Sequence, residues 1–136
     1  MKTKLLHYLS ITFITLSVLS ILSVSIMAFV NPQQVMNLVQ VNLSNTDAYS
    51  SIRGVYGGVG VTIITIIIYL SKQSISQGLM FLTLFWGMYA VSRLITMFVE
   101  GGLGAFGTQW LTIESFFTLI ALVLFFFKKR NLKAAY

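Results

Sequence analysis

Residues 62 to 68 read Thr-Ile-Ile-Thr-Ile-Ile-Ile, an unbroken run of β-branched side chains. In a soluble protein such a run is typical of a buried strand. Here it ends an apolar stretch from residue 49 to 70, which is long enough for a helix to cross a bilayer. Because a lone strand in lipid would leave its backbone groups without hydrogen bonds, the stretch predicts a membrane-spanning helix.

The composition extends this prediction to the whole chain. Of its 136 residues, 57% are hydrophobic and 9% are charged, and the mean hydropathy is +0.87. Charged residues make up about a quarter of an ordinary soluble domain, so we expect an integral membrane protein. The length allows an all-α, four-helix transmembrane bundle in a single domain, residues 1–136, with no separate soluble domain. The predicted spans are 5–29, 49–70, 79–99 and 111–127.

The first span begins after lysines and resembles a signal peptide in that respect. It is longer than the apolar core of a signal peptide, about 7 to 15 residues, so we interpret it as a true transmembrane helix. Its small hydroxylated side chains favour close helix packing over an ion path. One side of this helix is predicted to present Ser10, Phe13, Ser17, Ser20 and Val24.

Three short segments connect the spans. Asn31 and Pro32 are suited to the N-cap and the first position of a short helix, in which Val35, Met36 and Val39 share a face. We expect this helix to lie in the membrane interface between the first two spans. Residues 72–78 are expected to form a turn, and residues 101–104, Gly-Gly-Leu-Gly, a flexible loop.

Basic residues predict the orientation. They lie before the first span, between the second and third, and after the fourth, with no acidic residue among them. By the positive-inside rule we expect both termini to be cytoplasmic, in a multi-pass protein of the cytoplasmic membrane. The basic residues concerned are Lys2, Lys4, Lys72, Lys128, Lys129, Arg130 and Lys133.

Charged residues inside or beside the spans are the main functional signal. Arg53, Arg93 and Glu114 lie within three different spans, and Glu100 just beyond one of them. A charge in a bilayer costs at least about 2.5 to 3.5 kcal/mol on insertion scales, so it normally pairs inside the bundle. Helix rise places these groups at similar depths in the outer leaflet. We expect an ion pair between Arg93 and Glu114. Arg53 could pair with either acid, Glu100 or Glu114.

Aromatic residues and glycines share the faces of the two arginines. Trp86, Tyr89, Arg93, Thr96 and Glu100 form one helical stripe, expected to look inward. A second stripe holds Tyr49, Arg53, Tyr56, Gly57 and Gly60. The glycines Gly54, Gly57, Gly58 and Gly60 are expected to let helices approach closely. The predicted binding residues are Arg53, Tyr56, Trp86, Tyr89, Arg93, Glu100 and Glu114.

Other chemistry finds little support. The chain has no cysteine, and its single histidine, His7, lies near the opposite end of the first span, which excludes a Ser-His-Asp site. No ligand spacing suggests a metal, and no cofactor is expected. The glycines of residues 57–60 lie in an apolar span and do not form a nucleotide-binding loop, and we expect no nucleic-acid partner.

The order of these residues resembles a known family. Arg53-Gly54-Val55-Tyr56-Gly57-Gly58, Arg93-Leu94, Glu100-Gly101 and Glu114 resemble the bacterial membrane family of unknown function DUF4345 over nearly the whole chain. The resemblance implies a compact four-helix protein of the bacterial inner membrane, but it does not indicate a function. Gly54 stands where that family more often has alanine.

Three functions are consistent with these residues. The first is binding or transport of a small polar molecule or lipid headgroup at the arginines and glutamates. The second is an accessory or structural subunit, or a homo-oligomer, within a larger membrane assembly. The third, ranked last, is an intramembrane enzyme that uses Glu114 or Glu100 as acid or base. The same charges could also serve only to hold the helices in register.

Overall fold

The computed structural model describes residues 2–133, which are mostly helical and contain no strand. The predicted all-α fold is therefore confirmed, including the short helix after the first span. Residues 1 and 134–136 of the predicted domain lie outside the described part. The helices are α1 (Lys2–Val30), α2 (Pro32–Asn37), α3 (Thr46–Ile52), a π-helical segment (Arg53–Gly58), α4 (Val59–Gln73), α5 (Ile75–Val99) and α6 (Ala105–Lys133).

Four helical stretches are long and apolar enough to cross a membrane. They are Lys4–Val30, Thr46–Gln73, Ile75–Val99 and Ala105–Arg130. Each predicted span has its counterpart, but the helices extend further at their ends. The largest differences are at α6, which begins at Ala105 and ends at Lys133, six residues beyond the predicted span at each end.

The predicted turn over residues 72–78 is wrong. Helix α4 continues to Gln73 and α5 begins at Ile75, so Ser74 alone has an extended backbone, with φ −160° and ψ 129°. The polar residues on either side of Ser74 are compatible with helices, so a prediction from composition ended α4 too early and began α5 too late. The predicted Gly-rich loop is present between α5 and α6. Gly101 has a φ of +104°, which residues other than glycine rarely adopt.

The second span is not a uniform helix. Asn45 caps α3, since its side-chain oxygen accepts from the backbone N–H of Ala48 at 2.9 Å. A π-helical segment then follows from Arg53 to Gly58 before the α-helix resumes at Val59. This segment coincides with the motif that carries the family resemblance, and hydropathy gave no sign of its helix type.

Two compact units divide the described chain, and each is considered by itself. In the unit formed by residues 15–68, α1 packs against the second span at its small residues. A Cβ added to Gly60 would collide with the hydroxyl of Ser25, and one added to Gly57 would lie 2.8 Å from the Phe29 ring. The buried residues Ala28, Val35 and Met36 form a small apolar core in this unit.

Helix α2 differs from its prediction in two details. Asn31 occupies the N-cap, but its side chain makes no capping hydrogen bond there. Val35 and Met36 are buried, whereas Val39, expected on the same face, is exposed. Gln33 holds the following loop, because its amide donates to the carbonyl of Val41 at 2.9 Å and accepts from the N–H of Leu43 at 2.9 Å.

The buried side of α1 also differs from the predicted one. Ser10, Phe13 and Ser17 are buried as expected, but Ser20 and Val24 are only half-buried. The buried line continues instead through Ile21, Ser25 and Ala28. Hydroxyl groups tolerate this burial because they bond within the helix; Ser25, for example, donates to the carbonyl of Ile21 at 2.9 Å.

The other unit contains the described residues up to 14 and from 69 onward. Helices α5 and α6 run antiparallel and lie close at Gly87, where an added Cβ would be 3.5 Å from the Thr118 side chain. The start of α1 joins them through Phe13, whose ring lies 5.5 Å from that of Phe117. We call this unit the α5–α6 unit, and it contains Arg93 and Glu114.

Candidate functional site

An ion pair joins α5 to α6. The Nε of Arg93 donates to Oε2 of Glu114 at 2.6 Å, and Nη2 donates to Oε1 at 2.8 Å. The predicted pair is therefore present, in the two-bond geometry that matches a guanidinium to a carboxylate. Glu114 is 1% exposed as a residue, whereas the side chain of Arg93 retains 21% exposure.

The pair lies well inside the helices. At about 1.5 Å per residue, Arg93 is about 10 Å along α5 from Glu100. Glu114 is about 14 Å from the start of α6 at Ala105, deeper than a span beginning at residue 111 would place it. At such a depth an unpaired carboxylate would be costly, and each partner satisfies the other.

One aromatic ring contacts the guanidinium, and two more pack between α5 and α6. The guanidinium carbon of Arg93 lies 5.9 Å from the centre of the Phe106 ring, within the range of a cation–π contact. Further along α6, Phe117 meets the buried Trp86 edge to face, with centroids 5.1 Å apart. Phe106 therefore contacts the guanidinium itself, whereas Phe117 and Trp86 form an apolar contact between α5 and α6 further along the helices.

Arg93 has hydrogen-bonding capacity beyond its partner. A guanidinium carries N–H groups on Nε, Nη1 and Nη2, and Glu114 uses only Nε and one group of Nη2. Nη1 and the second N–H of Nη2 stay available on a side chain that is partly exposed. The Glu114 carboxylate, in contrast, is enclosed and has a donor on each oxygen.

The remaining predicted residues of this unit lie at the margin. Trp86 is 5% exposed, but Tyr89 is 42% exposed, and Thr96 and Glu100 are exposed as well. The stripe expected to look inward is therefore buried only in part, because α6 covers the side of α5 that holds Trp86 and Arg93. Glu100 ends α5, where its backbone N–H donates to the carbonyl of Thr96 at 2.8 Å.

The other predicted binding residues, Arg53 and Tyr56, belong to the unit of residues 15–68. The Nε of Arg53 donates to the backbone carbonyl of Phe29 near the end of α1, at 3.2 Å. Tyr56 is half-buried and packs against the apolar core around Ala28. In the same segment, Cβ atoms added to Gly54 and Gly58 would meet nothing within 4 Å. The pairing of Arg53 with an acid stays a prediction.

Two contributors to the site escaped the sequence analysis. Phe106 lies before residue 111, where the fourth span was predicted to begin, and no helical stripe was predicted on that span to include Phe117. A signal was available, since Phe106, Trp110, Glu114 and Phe117 recur at spacings of four, four and three residues, which is one helix face.

Metal ligation has no candidate in the described part of the chain. Among residues 2–133, no group of three His, Asp or Glu side chains is arranged to hold a metal ion. The pair formed by Arg93 and Glu114 instead offers hydrogen-bond donors beside a neutralised charge.

The comparisons agree with the sequence resemblance. A family model described as Domain of unknown function (DUF4345) matches residues 10–125. No curated protein and no solved structure is significantly similar to the chain. The matched range includes Arg53, Arg93 and Glu114 but assigns none of them a role.

Proposed function

We propose a function for this chain, which belongs to the DUF4345 family of unknown function, from the geometry of its ion pair. The chain is a multi-pass membrane protein by the length and hydropathy of its helices. The proposal is that it binds the polar head of a small molecule or a lipid at Arg93. Glu114 holds the guanidinium in place, and the neighbouring rings hold the apolar part.

The single observation that carries this proposal is the unequal burial of the pair. Glu114 is enclosed with both oxygens used, whereas Arg93 keeps unused N–H groups and 21% side-chain exposure. A pair in which both partners were enclosed would leave no donor for a ligand to reach. A fixed, partly open guanidinium is suited to recognising an oxygen acceptor, because its orientation is set before the ligand arrives.

The charge balance narrows the ligand class. Because Glu114 neutralises Arg93, the site has no net charge to attract a free anion strongly. A carbonyl, hydroxyl or zwitterionic phosphate oxygen fits better than a simple anion. Phe106 beside the guanidinium and Tyr89 on the exposed side of α5 supply apolar surface for the rest of such a molecule.

The proposed location is the outer leaflet of a bacterial cytoplasmic membrane. Within the α5–α6 unit, Lys72 and Lys128 lie at the end of the helices away from the loop that joins α5 to α6. The positive-inside rule makes that end cytoplasmic, so Arg93 and Glu114 fall on the outer side. An epitope tag at either terminus should then be accessible only from the cytoplasm.

Native mass spectrometry of the protein extracted from its own membrane tests the proposal. We expect a copurifying molecule that is lost in Arg93→Ala and reduced in Arg93→Lys, since lysine keeps the charge but not the planar donors. The matched control is Arg130→Ala, which removes an exposed guanidinium near the other end of α6. A wild-type protein that carries no bound molecule under these conditions would count against a binding function.

The same measurement separates the alternatives. A protein that copurifies at fixed stoichiometry, unchanged by Arg93→Lys, would support the accessory-subunit or homo-oligomer hypothesis. The enzymatic alternative ranks last, because a Glu114 carboxylate with both oxygens bonded to Arg93 is poorly placed to accept a proton.

A further inference from the structure

The two ends of the chain meet at a histidine and a lysine. Nδ1 of His7, in the second turn of α1, lies 3.4 Å from Nζ of Lys128 in α6. An ammonium group has donors only, so a hydrogen bond between these two atoms has Nδ1 as its acceptor, and it requires the ring tautomer with the proton on Nε2. Both residues belong to the same compact unit although they are far apart in sequence.

This contact sits at a cationic end with no acidic residue of its own. Lys4 precedes His7 by one turn, and Lys129 and Arg130 follow Lys128. Lys72, at the end of α4, belongs to the same unit and the same end, because α4 ends where α5 begins. The unit's two acids, Glu100 and Glu114, lie toward the opposite end of α5 and α6.

A lysine that contacts a histidine instead of a carboxylate keeps its positive charge uncompensated. The Lys128 ammonium keeps N–H groups unused by His7, and the Nε2–H of His7 is a further donor. His7 is exposed and Lys128 half-buried, so these donors can be reached from outside the protein. Convergent donors with uncompensated positive charge are the chemistry that holds a phosphate group.

The surroundings favour a phosphate carried by a lipid. Leu5, Tyr8 and Leu9, next to His7 in α1, are all at least half exposed, and the Tyr8 ring lies edge-on to the His7 ring at 6.0 Å. Tyrosine with aliphatic neighbours is typical of the headgroup region of a membrane, where acyl chains can lie against the helix. A soluble anion would use the charges but not this apolar surface.

We propose that His7 and Lys128 form a headgroup site for an anionic phospholipid at this end of the α1–α6 seam. The phosphate accepts from the Lys128 ammonium and from Nε2–H of His7, and one acyl chain runs along the exposed apolar side of α1. This site is separate from Arg93 and Glu114, which lie toward the opposite end of α5 and α6.

Lipid retention by the full chain tests this site. The protein in detergent is exposed to phosphatidylglycerol or phosphatidylcholine, and retained lipid is counted by native mass spectrometry. We expect phosphatidylglycerol to be retained preferentially, and Lys128→Gln to lower its retention about fivefold, which corresponds to about 1 kcal/mol for one lysine at an anionic surface. His7→Ala should also lower it, because this substitution removes the Nε2–H donor.

Lys129→Gln is the matched control, because it removes the same charge from a lysine whose ammonium instead lies over the Phe125 ring at 5.6 Å. A specific site predicts a smaller loss for this variant than for Lys128→Gln. Equal losses at both lysines with unchanged retention in His7→Ala would overturn the proposal in favour of unspecific surface charge. Equal retention of phosphatidylglycerol and phosphatidylcholine by the wild type would also overturn the proposal. So would inorganic phosphate that binds as well as phosphatidylglycerol does.

Discussion

The Glu114 carboxylate receives both of its side-chain hydrogen bonds from one guanidinium, that of Arg93, at 2.6 and 2.8 Å. The two residues come from adjacent antiparallel helices, so the contact fixes α5 and α6 in register. It also leaves the stability of this unit dependent on both partners, because neither charge has an equivalent substitute among the described residues of the unit.

Removing one partner should therefore cost more than removing both. Arg93→Ala leaves a buried, uncompensated carboxylate and should lower the free energy of unfolding by about 3 to 5 kcal/mol. The double variant Arg93→Met, Glu114→Met fills the space with apolar side chains and should recover most of this loss. Unfolding in mixed micelles measures both. A double variant no more stable than Arg93→Ala would show that the carboxylate is not the source of the cost.

The contact between Gly60 and Ser25 predicts a second pair of effects. An added methyl at Gly60 collides with the Ser25 hydroxyl, so Gly60→Ala should destabilise the protein by about 1 to 3 kcal/mol. Combining it with Ser25→Ala removes the colliding atom and should restore part of the loss. Gly54→Ala, where the methyl meets nothing within 4 Å, is the control and should not destabilise. Equal effects at Gly60 and Gly54 would contradict close packing at residue 60.

Neighbouring glycines in the α5–α6 loop should respond differently to the same substitution. Gly101 has a φ of +104°, and Gly101→Ala should cost about 1 to 3 kcal/mol because a Cβ disfavours that backbone conformation. Gly102 does not have a positive φ and has open space around its Cα. Gly102→Ala should be nearly neutral in the same unfolding experiment. If the two variants melt alike, Gly101 does not hold this conformation in the membrane.

Two serines of the α5–α6 unit should show opposite effects. The Ser71 hydroxyl is buried against Gly78 and has no hydrogen-bond partner among the described residues. Ser71→Ala should therefore leave stability unchanged or raise it by about 1 kcal/mol. Ser10 is also buried, but its hydroxyl donates to the Leu6 carbonyl at 2.7 Å, so Ser10→Ala should lose about 0.5 to 1.5 kcal/mol. A loss at Ser71 equal to that at Ser10 would indicate a bond to the Ser71 hydroxyl.

Much of the ion pair could be anticipated from the chain. Arg93 and Glu114 are charged residues in apolar spans joined by a short loop, and buried charges must be paired. Residues farther from the pair were harder to assign. Tyr89 shares the helical stripe of Arg93 yet is exposed, because a periodic stripe is wider than the surface that one neighbouring helix covers. Phe106 was missed because hydropathy stops at the first polar residues of α6.

Helix type was also beyond the reach of composition. The segment from Arg53 to Gly58 is π-helical, and its glycine-rich sequence allows that geometry without requiring it. The turn predicted over residues 72–78 failed for a related reason. Gln and Ser residues can continue a helix as readily as interrupt it, and the packing of Gly78 against Ser71 holds the two helices close together at this corner.

Hydropathy, charge and spacing along the chain were sufficient for the number of long helices, the membrane class and the need of Glu114 for a cationic partner. These properties are sums over neighbouring residues, so they can be calculated without knowing which helices touch. The depth of the pair, its rings from Phe106 and Phe117, and the meeting of His7 with Lys128 are different. They depend on contacts between residues far apart in sequence, and only the packed helices determine which atoms come within hydrogen-bonding distance.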